Sequence, residues 1–497
     1  MNFLTSKPSQ LIYSIALTAA IGVGYLLATP LELTSLAVVL VLTSTLCIPI
    51  FLRWYHPLMI FCWNATLTVF FLPGRPSLWM VMAVLGLGLA ILNWIMDRQT
   101  WRQQVPAVSF TLILFALIVV ITAKVAGGLG LYSFGSENYG GKGYFYILGA
   151  VAGYFALSSR AIPAAQAPLW VGVYFLAGLT AAVGDVLAHL GPSTYFLRLF
   201  FPGGQFNGQT AAETSGAAGM LRLGGVSAAC VVSYCFMLSR FGIRGIFDLG
   251  KPWRLLLFLL IIAASLLGGF RSVLAIMLMV FAVQFFFEGL LRTVLFPLFL
   301  IGGIMALLLL IPLADKLPAS IQRTLSILPV AVDPAIRIQA ENSARWRLEM
   351  WNDLLPDLHK YIIMGKGYSI DPTEMYLTDE SVKRGLLPEY ANSMLAGDYH
   401  SGPLSLYVPF GSVGVIGFAL FLFASTRVLY RNYRYGDPAL ARINTFLLSL
   451  FVARIIAFVF IFGAISSELY CFTGLIGLSV ALNGGVKKVP GPEPVRM

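Results

Sequence analysis

About fourteen apolar stretches, each close to the length of a bilayer-crossing helix, follow one another along this chain of 497 residues, and they leave few folds open. In hydrocarbon every backbone N–H and C=O needs an internal partner, and a helix supplies all of them within one segment. The composition agrees. The chain is 58% hydrophobic and 11% charged, with mean hydropathy +0.82, where soluble proteins carry roughly a quarter charged residues. The fold class expected is therefore an all-α polytopic membrane protein, with about 12–14 transmembrane helices and one large, mostly helical extracytoplasmic loop.

The net charge of +11 does not indicate nucleic acid, because the basic residues are scattered through short loops between apolar spans. That distribution fits topology control and contact with anionic membrane lipid. All five cysteines, Cys47, Cys62, Cys230, Cys235 and Cys471, fall inside apolar spans, so no disulfide framework is expected in a loop. The N-terminus carries one Lys and no small-residue cleavage site before the first apolar run near 11–28, which is expected to be a retained helix.

Arginines and lysines give the orientation. Arg240, Arg244, Lys251 and Arg254 form one cluster, Arg427, Arg431, Arg434 and Arg442 a second, and Lys487 and Lys488 follow the last span. With an even number of spans all three lie on one side, which the positive-inside rule makes cytoplasmic, along with both termini. Residues 1–313 then hold spans 1–11 with a smaller outer loop near 191–222, residues 314–402 form the large outer loop, residues 403–482 hold spans 12–14, and 483–497 are a cytoplasmic tail. A connection as long as 314–402 is a functional unit rather than a simple link. Within it, helical apolar spacing runs from Arg345 to Leu358, before Gly365-Lys366-Gly367, and a second short helix is expected over Glu389–Leu395.

The outer loop ends on Asp398-Tyr399-His400-Ser401, where a titratable imidazole meets the membrane boundary. An ionisable group there is costly unless it is used, although an interfacial histidine that bonds a backbone carbonyl is the plainer alternative. Nine residues after Ser401 come Gly411 and Gly414, a pair of small residues that permits close approach and can hold the loop against the bundle. Arg222 and Arg271 each precede an apolar span on the same outer side. Snorkelling to headgroups would explain them, but so would a guanidinium clamp on phosphate. Arg345, Arg347, Trp346, Tyr399 and Asp398 add cationic, aromatic and acidic groups suited to a glycan, while Trp346 and Trp351 also suit a plain core. Asp398 can orient His400 only across a suitably extended backbone. No Gly-rich phosphate loop, no His-x-x-x-His pair and no outer cluster of three carboxylates is present, so neither metal nor cofactor is expected.

His400 followed by Ser401, nine residues, and Gly411-x-x-Gly414, at the exit of a large outer loop and two spans before the end, resembles the O-antigen ligase and polymerase family of bacterial glycan transferases. Arg222, Arg271 and the Arg345–Gly367 segment also resemble that family, in which Ser commonly stands where this chain has Phe270. The resemblance implies an inner-membrane transferase. It would move an oligo- or polysaccharide from undecaprenyl diphosphate to a hydroxyl on lipid A-core sugar, on the growing glycan or on a protein. It also implies roles: His400 as base or orienter, Arg271 and Arg222 on the diphosphate, Arg345, Arg347, Trp346, Tyr399 and Asp398 on the substrate, and Ser401, Gly411 and Gly414 as structural motif. Two other classes remain open from the residues. A transporter or flippase for a lipid-linked glycan would use the same arginines but needs polar mid-membrane helices, for which only Asp185 and the Lys124 region are candidates. A sensory or structural protein would need only the loop.

Overall fold

The computed structural model describes residues 17, 20–22, 24, 50–72, 74–96, 105–128, 138–202 and 222–487. Among them, regular structure is helical, with two isolated β-bridges, Thr68↔Ser77 and Tyr139↔Ile370. Seven helices are long and apolar enough to cross a membrane: Leu78–Met96, Pro106–Val125, Ala164–Leu187, Gly224–Ile246, Gly402–Tyr435, Pro438–Phe460 and Ile465–Asn483. Three shorter apolar helices, Trp253–Gly268, Arg271–Phe287 and Leu295–Leu310, follow in the positions of three expected spans. The chain is a multi-pass, all-α membrane protein. The expected spans near 11–28 and 33–52, and the tail beyond Lys487, lie largely outside the described residues, and so does much of the 191–222 loop.

Several spans differ from the sequence pattern. The one expected near 57–72 is a helix over 50–64 that ends at Asn64. The one expected near 168–190 is broken by a 3-10 turn at Ala177–Thr180 between Ala167–Leu176 and Ala181–His189. Asp185, the mid-membrane candidate in that span, accepts the Val226 N–H at 2.9 Å at the start of Gly224–Ile246. Its carboxylate closes a helix end and has an architectural use there.

The buried centre is made by helices far apart in sequence. Gly141–Ser158 packs against both Leu78–Met96 and Ile465–Asn483, and Pro106–Val125 packs against Gly402–Tyr435. Small residues set the approach. A Cβ on Gly153 would lie 2.2 Å from the Trp63 ring, and one on Gly474 would lie 2.0 Å from its Nε1, so the indole, 1% exposed, fills the space both glycines vacate. At the rim the pattern reverses: Leu295–Leu310 has no fully buried residue, and only Leu295, Phe299, Leu307 and Leu310 pack inward while the rest of its apolar surface is exposed.

Two ends of the bundle can be told apart. Gly402–Tyr435 contains 34 residues, a length of about 50 Å at 1.5 Å per residue. Its first residue packs on the end of Pro438–Phe460, where a Gly402 Cβ would meet the Phe458 carbonyl oxygen at 2.1 Å. At its far end lie Arg427, Arg431 and Arg434. Arg442, at the near end of the following helix, donates to the Arg240 carbonyl at 3.3 Å, so the two basic clusters share one end and His400 lies at the other.

The 314–402 segment is a helical unit. The helix expected from Arg345 is the second half of Pro334–Leu354, which starts eleven residues earlier. Asp333 caps it, accepting from Ala335 N, with Pro334 at the first position. A 3-10 helix, Leu355–Tyr361, continues it. Pro372–Lys383 follows the same cap logic, with Asp371 accepting from Thr373 N and Glu374 N, and Tyr390–Leu395 is the short helix expected there. Met350, Leu354, Tyr390, Tyr399 and Val408 form a core of their own, with Trp346 and Trp351 packed against it.

Candidate active site

Gly402–Tyr435 is bent where Pro409 and Gly411 fall, and the bend is the seat of the loop. Gly411 has φ 68° and ψ −169°, outside the helical region, so its neighbours lose their helical partners. Ser412 N donates to the Ile362 carbonyl at 3.1 Å, while the Val408 and Pro409 carbonyls accept from Lys366 N and Gly367 N, each at 3.0 Å. Loop backbone thus replaces helix backbone, which removes the cost of the broken bonds. Close approach requires the glycines: a Cβ on Gly411 would lie 2.3 Å from the Ile363 oxygen, and one on Gly365 would lie 2.1 Å from the Pro409 carbonyl carbon. Gly414 has a different use, since its Cβ would meet Phe410 of the same helix at 2.3 Å. Gly411 therefore serves the kink and the docking of residues 362–367, and Gly414 the packing of Phe410 within its own helix.

The other end of the loop is pinned at His400. Trp351 Nε1 donates to the Tyr399 carbonyl at 2.8 Å, and Tyr399 is completely buried. His400 then takes φ 49°, one of two non-glycine residues with positive φ among those described. A left-handed conformation at such a residue costs on the order of 1–3 kcal/mol and is held only when its surroundings fix it. It turns the backbone so that His400 N donates to Asp398 Oδ1 at 3.2 Å, and the same oxygen stands 3.7 Å from His400 Nδ1. Asp398 thus faces the imidazole through a tight turn, not through the extended chain expected from the sequence. Ser401 precedes the helix without a side-chain cap bond, and its carbonyl accepts from Ser405 N at 2.8 Å.

The imidazole lies between two rings. Trp346 approaches at a centroid distance of 5.2 Å and Phe462 at 5.4 Å. Arg347 also stands over the Phe462 ring, 6.0 Å from its centroid. His400 Nδ1 is buried and makes no hydrogen bond among the described residues. Burial lowers the His400 pKa from its usual value, Asp398 pulls it back up, and Arg347 lowers it further. The ring is therefore held predominantly neutral near pH 7, as a base must be.

Arg271 opens its helix after Gly269, φ 69°, and Phe270. Its Nη2 donates to the Ala340 carbonyl at 2.9 Å, which uses one of five guanidinium donors. Arg222 lies over the ring of Phe270, the residue before Arg271, 5.8 Å from the ring centroid. Pro334–Leu354 connects the two groups. Ala340 and Arg347 are seven residues apart, nearly two turns, which places them on one face about 10 Å from each other along the axis. His400, Trp346 and Arg347 gather at one point of that helix, and Arg271 meets it at another. Arg345 is exposed and is not among the side chains packed on His400. Phe462 escaped the sequence pattern, since it lies in the turn after Pro438–Phe460, two helices and some sixty residues beyond the motif.

A family model described as O-antigen ligase matches residues 255–422. The matched stretch holds Arg271, the whole loop unit, His400 and the kink, and leaves Arg222 and Phe462 outside. No curated protein sequence matches the chain.

Proposed function

We propose that this chain, similar over residues 255–422 to the O-antigen ligases, transfers a glycan from undecaprenyl diphosphate to an acceptor hydroxyl at the outer face of a bacterial inner membrane. That match points to ligase-like or polymerase function, and the choice of donor and roles is our own. The observation that carries it is the geometry at His400: an imidazole clamped between two aromatic rings on a left-handed backbone, with Asp398 Oδ1 3.7 Å from Nδ1 and arginines along the adjoining helix.

With the Nδ1 proton facing Asp398, Nε2 keeps a lone pair for the acceptor. The acceptor oxygen attacks the anomeric carbon and its proton passes to Nε2, while the carbon–oxygen bond to the diphosphate breaks with inversion. Proton transfer of this kind contributes about 10²–10⁴-fold. The departing diphosphate gains charge, and Arg271 and Arg222 would offset it, Arg271 with donors beyond the one held by the Ala340 carbonyl. Arg347 is placed to act on the same charge or on the glycan, and Arg345 with its exposed side chain to meet the glycan further out. Trp346, Tyr399 and Asp398 hold the base. The acceptor class is lipid A-core sugar in this proposal. Electrophoresis of surface glycan from a deletion strain tests it: loss of all capped chains is expected, whereas retention of single-repeat caps would assign the chain to polymerisation instead.

A further inference from the structure

The turn that presents Phe462 to His400 also leads directly into the wall of a second cavity. Ser467 and Glu468, on the first turn of Ile465–Asn483, line a space of roughly 410 Å³ together with residues from the 64–79 and 142–146 segments. Apart from Ser467, Glu468 and Tyr470, its lining comes from residues 63–202, well before the matched family segment, and it shares no lining residue with the His400 site.

Its chemistry is unusual for a lipid-embedded surface. One wall is aromatic: Trp79 stacks on Tyr470 with centroids 4.9 Å apart and planes 18° apart, and Tyr146 meets Trp79 edge-on at 5.6 Å. The wall is fixed by hydrogen bonds, Trp63 Nε1 to the Tyr470 carbonyl at 3.2 Å and Ser77 Oγ with the Tyr146 hydroxyl at 3.0 Å. Asn64, Thr66 and Thr68 also line the space, and the Asn64 amide donates to the Tyr174 carbonyl at 2.8 Å. Rigid aromatic faces beside amide and hydroxyl groups suit a sugar ring, which has apolar C–H faces and a polar rim.

Charge narrows the class. The one carboxylate in the lining, Glu468, is already paired, 3.3 Å from Arg454 Nη1, with both side chains largely buried. Arg75 and Lys142 stand exposed at the lining, and among the described residues neither has a carboxylate within ion-pair distance. Among those residues the balance of charge at the lining is positive, and a ligand with an acidic group complements it. We propose that this cavity binds an acidic saccharide unit, carrying a uronate carboxylate or a phosphate, of the glycan handled at His400. The choice of a saccharide rests on the glycan-transfer proposal, so the test measures binding separately from transfer.

The full-length protein in phosphatidylcholine nanodiscs is titrated with tetragalacturonate, with neutral maltotetraose and with glycerol 3-phosphate as the stand-in for a lipid headgroup, and binding is followed by saturation-transfer NMR. Tetragalacturonate should bind, maltotetraose should bind at least about tenfold more weakly, and Arg75→Gln with Lys142→Gln should weaken tetragalacturonate about tenfold. His400→Ala should leave that binding unchanged, which separates failure of the transfer proposal from failure of this one. Absent tetragalacturonate binding, binding indifferent to the double substitution, or displacement by an equal concentration of glycerol 3-phosphate would each overturn the proposal.

Discussion

At φ 49° His400 pays a conformational cost that a plain interfacial histidine would not need. Its place at the loop exit was legible from the sequence, since an imidazole between a polar loop and an apolar span is conspicuous. The left-handed backbone was not, nor was Phe462, because both depend on a turn and on a helix that local spacing does not reach. The pH dependence follows from the groups around the ring. Activity should rise with pH through a His400 pKa below the usual 6.5, since only the neutral ring accepts a proton. Asp398→Asn removes the influence that raises it and should move the acid limb of kcat/KM to lower pH. Arg347→Gln removes one that lowers it and should move the limb to higher pH; limbs that stay in place in both variants would contradict the role. Arg271 gives a second prediction at this scale. Lysine can keep the single bond to the Ala340 carbonyl but not a two-pronged contact with diphosphate. Arg271→Lys should therefore lose about 10²-fold in kcat with the protein still stable, a loss typical of a missing transition-state donor. Near-normal turnover would mean that the arginine only anchors the loop.

At the scale of elements, the kinked helix joins the motif to the loop. Pro409 announces an irregularity in the sequence, but the partner that makes the kink tolerable, residues 362–367, lies more than forty positions away. That separation is why the Gly411 and Gly414 spacing suggested only that small residues hold the loop against the bundle, and not which loop segment docks at Gly411. Helix Pro372–Lys383 went unread for another reason: its sequence is polar and lacks an apolar stripe, although Asp371-Pro372 is a recognisable start. Gly411→Ala tests the kink. It places a methyl 2.3 Å from the Ile363 carbonyl oxygen at a backbone angle that L-residues avoid, so a loss of about 2 kcal/mol or more is expected. The measurement is thermal unfolding of the purified protein together with protease cleavage near Ile363, with lipid-exposed Val413→Ala as control. Unchanged stability and unchanged cleavage would show that the docked strand is not held as described.

Across the whole molecule, helix character was legible from hydropathy, while the partners of each span were not; against about fourteen expected spans, the described residues hold seven helices of crossing length and three shorter apolar ones. Gly141–Ser158 and Ile465–Asn483 meet across three hundred residues through glycines whose role appears only once Trp63 is in place. The two basic clusters meet at the end of the bundle remote from His400, and the positive-inside rule makes that end cytoplasmic in our account. In a background without native cysteines, Arg384→Cys should then react with a membrane-impermeant maleimide in spheroplasts, and Arg434→Cys only after lysis. The opposite pattern would invert the topology and remove His400 from the donor's side. The central claim, that His400 takes the acceptor proton, is tested most directly by transfer from purified undecaprenyl diphosphate-linked glycan to lipid A-core in nanodiscs. His400→Ala is compared with the unmodified protein at equal folded amount and saturating donor. The account predicts a fall in kcat of about 10²-fold or more with donor binding retained; transfer at the unmodified rate would contradict it.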